Sequence, residues 1–359
     1  RVLFRSVEFL KDVNSKVIDE GLKYVNNDAC YPSITVVGQM MEAINSGRYD
    51  TDKLALLMSQ TGGACRASNY VGFIRKALKE AGYENIPVIA ISWQNIETNE
   101  GFNLSPLVLQ KMIVAVLYGD LIMRLSNFTR AYEKEKQTDM LKQKWIEECQ
   151  KRVLKSSSKL FRQTVDEIIG DFSKIELLDI KKPKVGIVGE ILVKYLPQAN
   201  NNLQDLLEKE GCEVVMPDLT DFVLYCLRNE YHKGNFLSKS KFTGFMCNMG
   251  VNLIEHYRKY IRSQLIKSKF THPLKIQELE DYAQEVVSLG NQYGEGWLLT
   301  AEMIELIHIN ANNIVCIQPF GCLPNHITGK GVIKKIRQLY PQANLIPIDY
   351  DPGARGSSG

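Results

Sequence analysis

Six short apolar runs, each closed by turn residues and separated by stretches of helical spacing, constrain this chain more than any other feature. They are "LALLMSQ" (Leu54 to Gln60), "IPVIAIS" (Ile86 to Ser92), "VGIVG" (Val185 to Gly189), "EVVMP" (Glu213 to Pro217), "IVCI" (Ile314 to Ile317) and "NLIPIDY" (Asn344 to Tyr350). Runs this short with no regular polar alternate suit strands of a parallel sheet, whose two faces are both covered. Between them lie helical patterns such as "NYVGFIRKALKEAGY", "NNLQDLLEKEGC" and "GVIKKIRQLY". Strand and helix in alternation predict an α/β fold. With 359 residues, more than one core usually holds, the expectation is two Rossmann-like lobes with parallel sheets flanked by helices.

The punctuation at Lys181, Lys182 and Pro183 places the boundary, giving a first lobe over residues 1–181 and a second over 182–354. A long helical segment from about Leu104 to Gly170 extends the first lobe towards the second. Its charged middle, "RAYEKEKQTDMLKQKWIEECQKRVLK", reads as a solvated helix face. Further helices are expected around Asp221 to Glu230 and Asn252 to Ser268. The opening "RVLFRS" and the closing residues 355–359 read as non-native sequence.

A net charge of +3 is too small to suggest a nucleic-acid partner. No uninterrupted apolar run has the length of a membrane span, and the amino terminus lacks a signal-peptide layout, so the chain reads as cytoplasmic. Its eight cysteines contain no CxxC pair, which argues against zinc ribbons and thioredoxin-type sites. If cysteines bind a common group here, they must converge from distant loops.

Three of the eight lie where that is possible. Cys65, in "SQTGGACRASNY", follows one strand and precedes a helix from Ser68 onward. Cys322, in "IQPFGCLPNHITGKG", follows another strand and precedes a helix expected by about Gly331. Cys30, in "NNDACYPSI", stands just before Pro32 and Ser33, which suit a helix start. Open α/β sheets bind ligands outside the carboxyl ends of their strands, and the N–H groups of a helix start favour thiolate over thiol. Gly62, Gly63 and Gly321 would let backbone approach a bulky group. Gln60 and Asn69 in one loop, and Gln318 and Asn325 in the other, are candidate donors around it. The same pattern leaves a small buried core thiol open for each. Cys149, Cys212, Cys226 and Cys316 read as core thiols, and Cys247, flanked by glycines, is ambiguous.

Other signals are weaker. "HITGKG" (His326 to Gly331) lacks the spacing and the Ser/Thr of a Walker loop. "GEGW" brings Glu295 and, further on, Glu302, which read as a solvated helix start. Glu190 at a strand end and His326 beside Cys322 are the acid–base candidates.

The stretches "GLKYVNNDACYPSITVVGQ", "SQTGGACRASNY", "KPKVGIVGEILVKYLPQANN" and "CIQPFGCLPNHITGKGVIKKI", with "ANLIPIDYDPGA", together resemble the 2-hydroxyacyl-CoA dehydratase component family. The likeness is greatest to the dehydratase-like regions linked to CoA-enzyme activases, and it covers Gly21 to Ala354. It implies two Rossmann-like lobes with an oxygen-sensitive iron–sulfur cluster between them, of [4Fe–4S] type. By motif position Cys30, Cys65 and Cys322 match cluster ligands. The resemblance further implies an ATP-dependent activase, separate or fused, a second dehydratase-like subunit, and an acyl-CoA substrate. In the dehydratases, and in the related benzoyl-CoA reductase, that activase supplies a low-potential electron. Against the family pattern, the first lobe is expected to lack its first βα unit, and no actin-like ATPase signature is present. The functional expectation is a cluster-bearing subunit of a lyase or reductase. A cluster-carrying electron relay, or a structural half of a larger protein, and a binding protein with incidental thiols are the alternatives.

Overall fold

The computed structural model describes residues 6–60, 64–92, 105–155, 157–236 and 241–353. Gly62, Gly63 and the closing residues 355–359 lie outside the described residues. The fold is mixed α/β, helix-rich, with two parallel sheets.

In the first sheet β1 (Leu56–Gln60) pairs with β2 (Val88–Ser92) in parallel, joined through the helix Tyr70–Glu80. That helix shows why its sequence folds as it does. Tyr70, Val71, Ile74, Ala77 and Leu78 recur at helical spacing and are its buried positions.

The second sheet has four parallel strands: β3 (Lys184–Gly189), β4 (Glu213–Val215), β5 (Asn313–Pro319) and β6 (Asn344–Tyr350), in the order β4-β3-β5-β6. Along β5, Val315 and Ile317 enter one apolar core and Ile314 and Cys316 another. Both faces are covered, which is why this strand reads as an unbroken apolar run. On one face the helix Gly296–His308 lies so close that a Cβ on Gly186 would fall 2.5 Å from Leu306. The chain leaves β3 for the β4 edge and returns to pair β5 on the other side, so the order reverses between β3 and β5. At such a switch point the two connections part and leave a crevice beyond the strand ends. Glu190 follows β3 there, and Gly321 and Cys322 follow β5.

One apolar core runs continuously from the first sheet (Leu56, Ile74, Val88) through the helix Tyr31–Asn45 (Ile34, Val37, Met41) to the second sheet (Ile187, Val214, Ile317). The two sheets are thus joined by shared packing.

The helical stretch after β2 consists of the helices Pro106–Tyr132, Thr138–Leu154 and Ser158–Ser173. They bury Leu121, Leu125, Trp145, Phe161 and Phe172 against Tyr257, Ile261 and Leu265 of the helix Lys241–Leu265, forming a separate core. The expected charged face is solvated along Thr138–Leu154, where ion pairs such as Lys151–Glu148 are largely exposed. Contrary to expectation, the helix Pro106–Tyr132 is long and apolar enough to cross a membrane by length and composition, with a mean hydropathy of 1.6 over its best window. Isolated charges such as Asp120 and Arg124 interrupt its apolar run. Here both charges are paired inside the protein. Arg124 meets Asp218 at 2.7 Å, and Asp120 accepts from the backbone of Leu219 and Thr220 at 2.9 and 2.8 Å.

Candidate functional site

Cys30, Cys65 and Cys322 each occupy the residue immediately before a helical turn. Cys30 precedes Tyr31–Asn45, Cys65 precedes the 3-10 turn Arg66–Asn69 that leads into Tyr70–Glu80, and Cys322 precedes Leu323–Thr328. Proline in the first turn starts two of these helices, Pro32 in one and Pro324 in the other. The helix after Cys322 therefore begins at once rather than near Gly331. Gly329 to Val332 form a separate turn, and Lys330 there pairs with Asp349 at 3.2 Å.

The three loops come together. The backbone N–H of Tyr31 donates to the carbonyl of Phe320 at 3.1 Å, joining the Cys30 and Cys322 loops. Gly321 makes the approach possible: its φ is +72°, and a Cβ there would lie 3.2 Å from Cys30 N and the Ala29 carbonyl carbon. The Cys30 thiol is a hydrogen-bond partner of the Cys322 thiol. Cys65 approaches from the other side, its sulfur 4.0 Å from where a Cβ on Gly294 would stand, with Pro324 beside the same point. The buried phenol of Tyr70 lies within electrostatic reach of all three sulfurs and of Glu190. Nothing in the sequence pattern marks Tyr70 beyond its place on an apolar helix face.

The amide residues divide. Gln60, Gln318 and Asn325 are buried, whereas Asn69 is exposed with its Oδ1 over Gly72. Asn325 Nδ2 donates to the Cys322 sulfur at 3.2 Å and to Glu295 Oε2 at 2.6 Å. Gln60 Nε2 donates to the Ser68 carbonyl at 2.8 Å, and Gln318 Nε2 to the Asn325 carbonyl at 3.2 Å. Their second ends are unsatisfied: Gln60 Oε1, Gln318 Oε1 and Asn325 Oδ1 are buried with no hydrogen-bond partner among the described residues. Leaving such atoms unpaired is costly.

Two of the sequence expectations are corrected here. Glu295 and Glu302, read as a solvated helix start, are 6% and 2% exposed. Glu295 is held between Gly294 (φ +58°) and Gly296 (φ +46°) and accepts from Ile191 N at 3.2 Å. Glu302 forms a buried ion pair with Lys194 at 2.9 Å. The other correction concerns the thiols. Helix starts were expected to favour thiolates, but burial dominates, pushing Cys65 up to about 12. Cys322 is raised as well, first by its hydrogen bond with Cys30 and then by burial.

The acid–base candidates both have structural partners. Glu190 caps the helix Ile191–Tyr195, its Oε2 accepting from Val193 N at 2.8 Å. Burial, then repulsion from Glu295, pushes its carboxyl up to about 8. His326 places Nδ1 on the Cys322 carbonyl at 2.8 Å, folding the ring against its own helix start.

Cys149 and Cys316 are buried, and Cys212, Cys226 and Cys247 are partly so. Cys149 belongs to the helical core and Cys316 to the core under β5. Among the described residues no three His, Cys, Asp or Glu side chains are grouped as a single metal ion requires. Thiolates on an iron–sulfur cube face a different demand, because each binds its own iron rather than a shared point. The donor chemistry of the three sulfurs, with an amide already on one of them, fits such a group. The Cys30–Cys322 contact would have to part to admit it.

No protein-family model matches the chain, and no curated protein matches it in sequence.

Proposed function

We propose that this chain is the iron–sulfur subunit of an ATP-driven, low-potential redox enzyme of 2-hydroxyacyl-CoA dehydratase type, acting on an acyl-CoA thioester. In this reading two Rossmann-like lobes hold a [4Fe–4S] cluster through Cys30, Cys65 and Cys322, leaving one iron for another ligand. The observation that carries it is the approach of three loops far apart along the chain, bearing Cys30, Cys65 and Cys322, each cysteine just before a helical turn. Core thiols have no reason to share that position or to converge.

Bound there, the cluster would accept and pass on single electrons at low potential. The chain's own residues do the rest. Cys30 and Cys322 are buried, the Asn325 amide donates to the Cys322 sulfur, and the Glu295 carboxylate holds that amide in place. An ATP-dependent activase, separate or fused, would supply the electron, and a second dehydratase-like subunit would complete the enzyme.

One observation favours a second reading, a cluster-carrying electron relay without chemistry of its own. Glu190 and His326 are both engaged in local structure, Glu190 as a helix cap and His326 on a backbone carbonyl.

Iron and acid-labile sulfide per chain, with electron paramagnetic resonance after anaerobic purification, test the proposal on wild type, Cys65→Ser and Cys149→Ser. Iron and sulfide in wild type and Cys149→Ser, with loss in Cys65→Ser, is the expected result. Wild type that stays iron-free after reconstitution sinks both readings. A change in the spectrum on adding an acyl-CoA separates the enzyme from the relay.

A further inference from the structure

We propose that Cys30 and Cys322 are an oxidisable pair, which a hydroperoxide converts to an intramolecular disulfide across the two loops when the site holds no cluster. The two side chains are near enough that Cys30 raises the Cys322 thiol. The backbones that carry them touch at Tyr31 N to Phe320 O (3.1 Å), one residue after Cys30 and two before Cys322, and at Gly321, the residue before Cys322, against Cys30 N. A disulfide needs Cα atoms roughly 4.4–6.8 Å apart, and backbone contact this near both cysteines is what such a bridge requires. Neither thiol caps its own helix, and the Cys322 sulfur accepts from the Asn325 amide, a hydrogen bond the disulfide would have to loosen. Cys65 is placed differently. It lies against Gly294, and its influence on Cys322 is through-space only.

The chemistry balances with a hydroperoxide as the two-electron oxidant. One sulfur attacks the terminal peroxide oxygen and becomes a sulfenic acid, and the departing alkoxide, or hydroxide from hydrogen peroxide, takes the thiol proton and leaves as alcohol or water. The partner sulfur then displaces hydroxide from the sulfenic sulfur, forming the S–S bond and water. A dithiol reductant restores both thiols by thiol–disulfide exchange, becoming a disulfide itself. Both thiols are buried, so the reaction is expected to be slow beside that of an exposed low-pKa cysteine.

The test treats the intact, iron-free chain with hydrogen peroxide, alkylates it in denaturant and maps the unreduced peptides by mass spectrometry. Two of the eight thiols are expected to disappear into one cross-link joining Cys30 and Cys322, and dithiothreitol is expected to restore them. Cys65→Ser and Cys149→Ser should keep that cross-link, and Cys30→Ser should lose it. Retention of all eight thiols, a cross-link through Cys65, or its loss in Cys65→Ser would overturn the assignment. The measurement does not involve iron, so failure of the cluster reading leaves it standing, and its own failure leaves the cluster reading untouched.

Discussion

The side-chain amide of Asn325 donates to the sulfur of Cys322 at 3.2 Å, and the same nitrogen lies 2.6 Å from Glu295 Oε2. Through Glu295 the link continues to the backbone of Ile191, just beyond the end of β3. One buried amide and one buried carboxylate therefore tie the two strand ends that flank the switch point. The Cys322 thiol is held by Asn325, and Asn325 in turn by Glu295, which reaches the other side of the crevice.

Replacing Asn325 by alanine should therefore damage more than a hydrogen bond to sulfur. Glu295 would keep its backbone partner but lose its side-chain donor, and a buried acceptor left unpaired costs about 1–3 kcal/mol. Urea denaturation should show a loss of that size. If iron is bound, the reduction potential of Asn325→Ala should fall, because a donor to a ligating thiolate stabilises the more negative, reduced state. Wild-type stability in the variant would show that the amide contributes nothing to holding the loop.

Parts of this arrangement were legible in the sequence. The central strands β3 and β5 show as apolar runs because both faces are buried, and glycine and proline mark the loops that carry Cys65, Cys322 and Cys30. What pattern could not reveal was partnership across the chain. The helix expected from Asn252 in fact begins at Lys241, running through Gly244 and Gly250, the glycines around Cys247. These glycines serve close packing between helices: a Cβ on Gly244 would lie 3.3 Å from the backbone of Tyr231, and one on Gly250 3.4 Å from Leu227. Likewise, Glu302 looks like a surface residue until Lys194, which follows another strand, is found against it.

That pair offers a second prediction. Lys194 and Glu302 have side chains 0% and 3% exposed, and Nζ lies 2.9 and 3.1 Å from the two carboxylate oxygens. Removing one partner strands a charge in the interior, at a cost of about 3–5 kcal/mol. At pH 8, above the value of about 7 to which burial raises Glu302, Lys194→Met alone and Glu302→Gln alone should both be strongly destabilised in urea. The double variant should recover a substantial part of the loss, since neither charge then remains. A double variant as unstable as the sum of the singles would mean that the two residues act independently.

The buried carboxylates behind this pair set the expected pH dependence. Burial pushes Asp120, aided by repulsion from Asp218, up to about 7, and Asp221 up to about 6 against the pull of Arg258. Glu302 rises to about 7 despite Lys194, and Glu305 to about 8 through burial and Asp221, with Arg124 opposing. All four values lie above those of an unfolded carboxyl, so the folded state binds protons more tightly than the unfolded one. Their contribution is complete below pH about 4 and is lost as pH rises through 6 to 8, about 1.4 kcal/mol for each pKa unit of an independent group. The urea midpoint should therefore fall steadily between pH 5 and 8.5. Glu305→Gln removes one of these titrations and should flatten the alkaline end, gaining on wild type at pH 8 but not at pH 5. A midpoint that rises over this interval would show that these carboxyls are ionised in the folded protein at little cost, and that their arginine and lysine partners outweigh burial.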